Sequence, residues 1–400
     1  MDVTVAPSRL CGNIRAISSK SHAHRLLICS FLAGEFLPLD NMDVSADIIA
    51  THEALKALGN GEVSLDCGES GSTLRFLLPV VTALGVRTEL LGHGRLPERP
   101  LSPLIEELEK NGAVFSAHSL PIKTSGKLRA GDYTLPGNIS SQYISGLLFA
   151  LPLLDGDSRI NITGKIESAA YIDLTIDALK AFSIEIQKTP YGFLVPGNQK
   201  YKNNDDTAVQ GDWSNAAFFL CAGALGGDIT MTGLDLDCSQ SDKAIFKLLS
   251  QFGAEISTDN GIHVKGTNKR NPLKIDVSPC PDLFPVLAVT ACGAKGDTML
   301  HNAARLRIKE SDRIASTAHM IRSLGGEVTE GDDYLIIHGT GSLKGGTVDS
   351  FNDHRIAMAA AIAACICDGN VTIKGAQAIN KSYPKFFEDY NSLGGKSDVI

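Results

Sequence analysis

The 400-residue sequence has no Cys-x-x-Cys, no apolar run long enough to cross a bilayer, and a single tryptophan. Its longest apolar stretch, 356–367, is too short to span a membrane and reads as a buried helix. The first ten residues hold no apolar core of a leader, so no signal peptide is expected. Nine cysteines, at 11, 29, 67, 221, 238, 280, 292, 365 and 367, lack metal-ligand or disulfide-framework spacing. They read as buried free thiols in a reducing cytosol. Cys365-x-Cys367 has no nearby His or Cys to complete a metal site. Lys+Arg number 37 against 45 Asp+Glu, a net charge of −8, and aromatics are 6%. That balance excludes binding nucleic acid or anionic lipid by bulk charge, so an anionic ligand needs a local cationic pocket. The familiar phosphate and metal motifs are absent too. Gly395-Lys396-Ser397 has Tyr390 where a Walker A loop needs glycine, Gly92-His93-Gly94 stops short of G-x-G-x-x-G, and no H-E-x-x-H occurs. No metal or other cofactor is expected.

What is present is repetition. Six helix-like segments end alike, with a Gly or Ser at 59, 112, 183, 253, 325 and 394, at steps of 53, 71, 70, 72 and 69 residues. Glycine there suits the left-handed residue that closes a helix. A β-branched strand ending in Gly precedes most of these helices, as in Ile160-Asn161-Ile162-Thr163-Gly164 and Val371-Thr372-Ile373-Lys374-Gly375. The period, about 67 residues, exceeds that of common solenoids, so two α/β domains of three units each are expected. The polar stretch 200–206 reads as a hairpin loop and the Gly-rich stretch 222–227 as a hinge.

Cations and small hydroxyls gather at expected helix starts. These are Ser19-Lys20-Ser21 with Arg25 one turn on, the Gly68-to-Arg75 loop, and Arg99-Pro100 at an expected first helical turn. Asn138-to-Gln142, Lys309-Glu310-Ser311-Asp312-Arg313, Asn352-Asp353-His354-Arg355 and Lys381 complete the set. Lys309 and Arg313 are expected one turn apart. Basic residues ordinarily favour helix C-termini, where the macrodipole attracts them. Their placement at N-termini is relieved by a bound polyanionic small molecule.

In this order the motifs resemble the enolpyruvyl transferases, over nearly the whole chain, on the branch that acts on shikimate 3-phosphate. The resemblance implies a two-domain inverted α/β barrel fold, each domain three βαβαββ units around a pseudo-threefold axis. Residues 1–17 and 226–400 would form one domain and 18–225 the inserted one, with the active site in the cleft between them. It implies transfer of the enolpyruvyl group of phosphoenolpyruvate to the 5-hydroxyl of shikimate 3-phosphate, by addition and then elimination of phosphate. Asp282, Glu310 and Lys20 match the catalytic positions, Asp282 taking the hydroxyl proton and Glu310 protonating the enol carbon. Lys20, Gly71, Arg99, Gln142, Arg313, Arg355 and Lys381 match phosphoenolpyruvate contacts. Lys20, Ser21, Arg25, Ser140, Ser141, Gln142, Ser168, Asp282 and Lys309 match shikimate 3-phosphate contacts. The expected partners are these two metabolites, with no nucleic acid or membrane, for a cytoplasmic monomer.

The sugar-nucleotide branch of the family carries a cysteine five residues before its loop arginine. Here Gly94 stands five before Arg99, which favours the shikimate branch. RNA phosphate cyclases share a related unit, but the net charge argues against them. Some positions depart from the family pattern: Ile17-Ser18 replaces Pro-Gly, Glu69 replaces an Asn, Ala169-Ala170 replaces a small-Pro pair, and Arg305 stands where some members have an Asn. An inactive repeat scaffold would show broken acid, base or phosphate positions, and none is broken.

Overall fold

A computed structural model describes residues 1–203 and 207–400, the side chain of Asn41 excepted. Part of the expected hairpin loop at 200–206 therefore lies outside the described residues. The chain forms two compact units, Met1–Ser19 with Gln210–Ile400, and Lys20–Val209 inserted between them in sequence. The return thus falls at Gln210 rather than at 226, and the entry at Lys20 rather than at 18. The shift has a packing cause. Helix Trp213–Ala224 is buried along nearly its whole length in the core of the discontinuous unit. Residues 222–227 are no hinge, because Ala222, Ala224 and Leu225 lie in that core and the chain then enters strand Asp228–Thr232.

The inserted unit contains helices α1 (Lys20–Leu32), α2 (Ala46–Gly59), α3 (Gly71–Leu84), α4 (Leu104–Lys110), α5 (Ser141–Ala150) and α6 (Ala169–Ala181). The other contains α7 (Trp213–Ala224), α8 (Ala244–Phe252), α9 (Phe284–Cys292), α10 (Arg313–Ser323), α11 (His354–Ala363) and α12 (Phe386–Ser392). One copy of the repeat runs strand Ser64–Asp66, α3, strand Thr88–Leu91, α4, strands Ala113–Phe115 and Ile122–Gly126. In its sheet the first strand pairs parallel with the second. The second pairs antiparallel with the fourth, and the fourth antiparallel with the third.

Four more sheets follow the same plan, opening on the parallel pairs Asp132–Pro136 with Ser158–Thr163, Cys11–Arg15 with Asp228–Thr232, Lys274–Asp276 with Lys295–His301, and Gly346–Asp349 with Val371–Lys374. The βαβαββ reading is therefore visible five times. The sixth stretch, 20–59, contributes α1 and α2 and no sheet among the described residues. Strand Val3–Val5 completes the last sheet, between Val371–Lys374 and Ser397–Val399.

The helix-closing positions behave as expected at five sites. Gly112, Ser183, Gly253, Gly325 and Gly394 all have positive φ. At the other, α2 runs on through Gly59, and Gly61 takes the left-handed turn instead. Within each unit the second helix type is amphipathic, whereas α3, α5, α7, α9 and α11 are buried all round. A helix buried on every face is largely apolar all round, and the polar exceptions here, such as Arg75, Gln142, Asn215 and Arg355, lie in the first turns. Each unit has its own core.

Candidate active site

In the inserted unit the starts of α1, α3, α5 and α6 carry the predicted residues. Lys20 opens α1, and its Nζ lies 2.8 Å from Asp47 on α2. Arg25, one turn on, is 3% exposed. It donates from Nη1 to Ser21 O at 2.5 Å, from Nε to Thr175 Oγ1 at 2.8 Å and from Nη2 to Tyr171 O at 2.9 Å. Two of its donors, Nε and Nη2, thus tie α1 to α6, the third stays within α1, and burial lowers its pKa to about 10. Ser168 immediately precedes α6 in a left-handed conformation, φ 55°, which a non-glycine residue holds only under strain.

Gly71 opens α3, and Ser70 caps it by accepting the Thr73 N–H. A Cβ at Gly71 would stand 2.7 Å from Arg99 Nη1 and 3.0 Å from Arg75 Nη1. Two guanidinium groups therefore crowd one helix start, and a side chain at Gly71 would have to displace the Arg99 guanidinium from this position. Arg75 also donates to Gln142 Oε1 at 2.8 Å, while Gln142 Nε2 donates to Ser72 Oγ at 2.8 Å. Ser140 caps α5, Ser141 is its first residue and Gln142 its second. The α3–α5 contact that sets this spacing is unusually close. Pro79 has no N–H for the carbonyl of Arg75, and Gly146 of α5 packs against that carbonyl, where a Cβ would also meet Pro79 Cγ at 3.0 Å.

In the discontinuous unit the hub is Arg313, 1% exposed at the start of α10. Its Nη1 meets Asp282 at 2.6 Å, its Nη2 Glu310 at 2.7 Å and its Nε Asp353 at 2.9 Å. Asp353, fully buried, caps α11 by accepting the Arg355 N–H and also accepts from Ser311 Oγ at 3.0 Å. Arg355 Nη2 reaches Asp282 at 3.3 Å, and its Nε and Nη1 are buried with no acceptor among the described residues. Burial works to raise the Asp282 pKa, but Arg355, Arg313 and Lys309 outweigh it and hold the carboxyl well below the usual range. Lys381 Nζ donates to Asn352 O at 2.7 Å, at the turn before α11. Phe351 and Asn352 in that turn both have positive φ.

Two local expectations change. Arg99 is not in a first helical turn. Leu96–Glu98 form a 3-10 turn, Arg99 follows in extended conformation, and the helix begins at Leu104. Lys309 and Arg313 do not share a helix turn, because Lys309 is extended and α10 starts only after the Asp312 cap. The side chain of Glu69 lies by the 92–94 turn, where a Cβ on Gly94 would be 2.5 Å from Oε2. Arg305 donates from Nη2 to Ser278 O at 3.0 Å.

Three residues outside the predicted set belong to this architecture. Arg75 and Asp353 lie inside the quoted motifs, and a buried cap or cation there is a signal the motif already carried. Asp242 gave no such signal. It is buried, accepts from Ser214 Oγ, and leaves Oδ1 without a partner among the described residues. Burial first, then the Asp282 charge, push its carboxyl up to about 7.

The chain is similar to known proteins over nearly its whole length. The family model for EPSP synthase (3-phosphoshikimate 1-carboxyvinyltransferase) matches residues 60–390. A 3-phosphoshikimate 1-carboxyvinyltransferase of Clostridium kluyveri is 44% identical over 418 aligned positions, covering 99% of this chain and 98% of that protein. The EPSP synthase structure from Acinetobacter baumannii superposes with a TM-score of 0.81 at 25% identity, covering 100% of both chains. The enolpyruvyl transferase NikO from Streptomyces tendae, at 16% identity and a TM-score of 0.77 over 99% of this chain and 98% of that one, shares the fold. With a family model covering most of its length and a relative of this identity end to end, the chain belongs to the EPSP synthase family.

Proposed function

We propose that this protein transfers the enolpyruvyl group of phosphoenolpyruvate to the 5-hydroxyl of shikimate 3-phosphate, releasing phosphate, as a cytoplasmic monomer. The observation that carries the reading is the buried Arg313 guanidinium, which brings Asp282 to 2.6 Å and Glu310 to 2.7 Å of one cation. Two carboxyl groups held by one fixed fork are oriented for paired proton transfer. Asp282, kept as a carboxylate, would take the hydroxyl proton as the oxygen attacks C2 of phosphoenolpyruvate. Glu310 would protonate C3, giving a tetrahedral adduct. Loss of phosphate, with return of a C3 proton, leaves the enol ether.

The anionic groups need cations that fit planar oxyanions, and guanidinium forks do so better than ammonium groups. Arg99 and Arg75 around Gly71 supply them in the inserted unit, and the unpaired donors of Arg355 supply them in the other. We propose that both sets serve the same pair of substrates, with Lys20, Lys381 and Lys309 adding charge. Ser21, Arg25, Ser140, Ser141, Gln142 and Ser168 would hold shikimate 3-phosphate. Arg313 would contact phosphoenolpyruvate only by exchanging one of its carboxylates for a substrate anion, which would also release Glu310 Oε2 from its ion pair. Preorganised charge of this kind stabilises the adduct without reorganisation at the moment of reaction.

The test is phosphate release from phosphoenolpyruvate with each acceptor in turn. Release with shikimate 3-phosphate and none with UDP-N-acetylglucosamine is expected, and the reverse would overturn the reading.

A further inference from the structure

A line of buried polar groups in the inserted unit joins α1 to the first turn of α3. His24 Nδ1 on α1 lies 2.6 Å from Thr51 Oγ1 on α2. Thr51 Oγ1 lies 2.6 Å from Thr73 Oγ1 on α3, and Thr73 Oγ1 donates to Ser70 Oγ at 2.7 Å. All four side chains are at most 1% exposed. Proton counting gives the line a direction, because each hydroxyl has one proton. Thr73 gives its proton to Ser70, so Thr51 must give its own to Thr73, and His24 must donate from Nδ1.

The imidazole is neutral, since burial and then the Lys20 and Arg25 charges hold its pKa well below the usual value. Its Nε2 is left buried and unpartnered among the described residues. A buried nitrogen with no partner destabilises a fold, and an apolar residue would avoid the penalty. What His24 supplies in return is the donor at the head of this line. The far end is Ser70, the cap immediately before Gly71, where Arg99 and Arg75 converge.

We propose that His24, Thr51 and Thr73 are positioning residues that fix the first turn of α3, and so set the affinity of that helix start for phosphoenolpyruvate. The inference rests on the functional reading above, but one of its tests does not need activity. In nitrogen-15 NMR of the full unliganded chain, with His24 assigned by His24→Gln, the Nδ1–H tautomer is expected. The Nε2–H tautomer would overturn the proposal. In kinetics, Thr51→Val is expected to raise the KM for phosphoenolpyruvate about tenfold through misplacement of the turn. The kcat and the KM for shikimate 3-phosphate should stay near the parent values, and Thr51→Ser should restore the KM. An unchanged KM for phosphoenolpyruvate, or an equal loss in all three constants that Ser does not rescue, would refute it. If Thr51→Val does not fold, the His24 tautomer and the Thr51→Ser and Thr73→Ser kinetics still decide. If the parent chain releases no phosphate at all, the functional reading falls while the tautomer still judges the hydroxyl line.

Discussion

Arg313 is the charge hub of the discontinuous unit, because one buried cation pairs with Asp282, Glu310 and Asp353. Replacing Asp282 by Ala or Glu310 by Gln is expected to lower kcat by about 10²- to 10⁴-fold, with the unfolding midpoint near the parent value for Glu310→Gln and lowered for Asp282→Ala, which removes a carboxylate paired with both Arg313 and Arg355. Turnover within a few-fold of parent in either variant would remove that residue from proton transfer. Asp353→Ala acts differently. It strips the buried guanidinium of its closest fully buried partner and should cost about 3–5 kcal/mol in denaturant unfolding.

Asp242 gives a pH dependence. Its carboxyl is pushed from 3.8 in the unfolded reference up to about 7, so the native state holds the proton more tightly. Stability from this group is full below about pH 4 and is lost as pH rises towards 7. Asp282 works in the opposite sense. It is held below the ordinary value, so its contribution is present above about pH 4 and is lost only in acid. Between about pH 4 and 7, unfolding midpoints of the parent should therefore fall more than those of Asp242→Asn, and parallel slopes would contradict the assignment. Glu310 and Arg313 were readable from sequence as a motif, and Asp282 only through the family resemblance. Asp242 was not, because a single Asp in a polar turn carries no sign that its neighbour in space is another acid 40 residues on.

Among the elements, the α3–α5 pair matters most, since it sets Gly71, Arg75 and Gln142 in register. Pro79 and Gly146 make the close approach possible. Gly146→Ala should destabilise by about 1–3 kcal/mol through overpacking against the Arg75 carbonyl. It should also raise the KM for phosphoenolpyruvate, measured by initial rates, by displacing Arg75. Helix ends were readable at five of six positions because glycine or serine with positive φ marks them. The start of α4 was misread because Pro97 and Pro100 look like a first turn. The chain instead makes a 3-10 turn, passes Arg99 in extended form and starts the helix at Leu104. That extended conformation carries Arg99 back to Gly71, a long-range approach that local sequence does not encode.

Across the whole molecule, one sheet plan recurs five times over two separate cores. The repeat was readable because its period and its closing residues recur. The unit boundary was not, since the apolar helix Trp213–Ala224 would suit either core and tertiary packing decides between them. The first strand, Val3–Val5, lies between two strands of the last repeat. Deleting residues 1–5 should therefore strip Ser397–Val399 of its strand partner among the described residues, open one edge of Val371–Lys374, which keeps Gly346–Asp349 on the other, and lower the thermal unfolding midpoint sharply. A midpoint equal to the parent's would mean that the strand is dispensable.

Proton delivery to C3 of phosphoenolpyruvate followed by loss of phosphate is the reaction proposed for Asp282 and Glu310. Its most direct test is to run the reaction with shikimate 3-phosphate in deuterated water and read the product by mass spectrometry. An enol ether carrying deuterium at the former C3, formed in step with phosphate, is expected. Phosphate released with no deuterium in the product would contradict it.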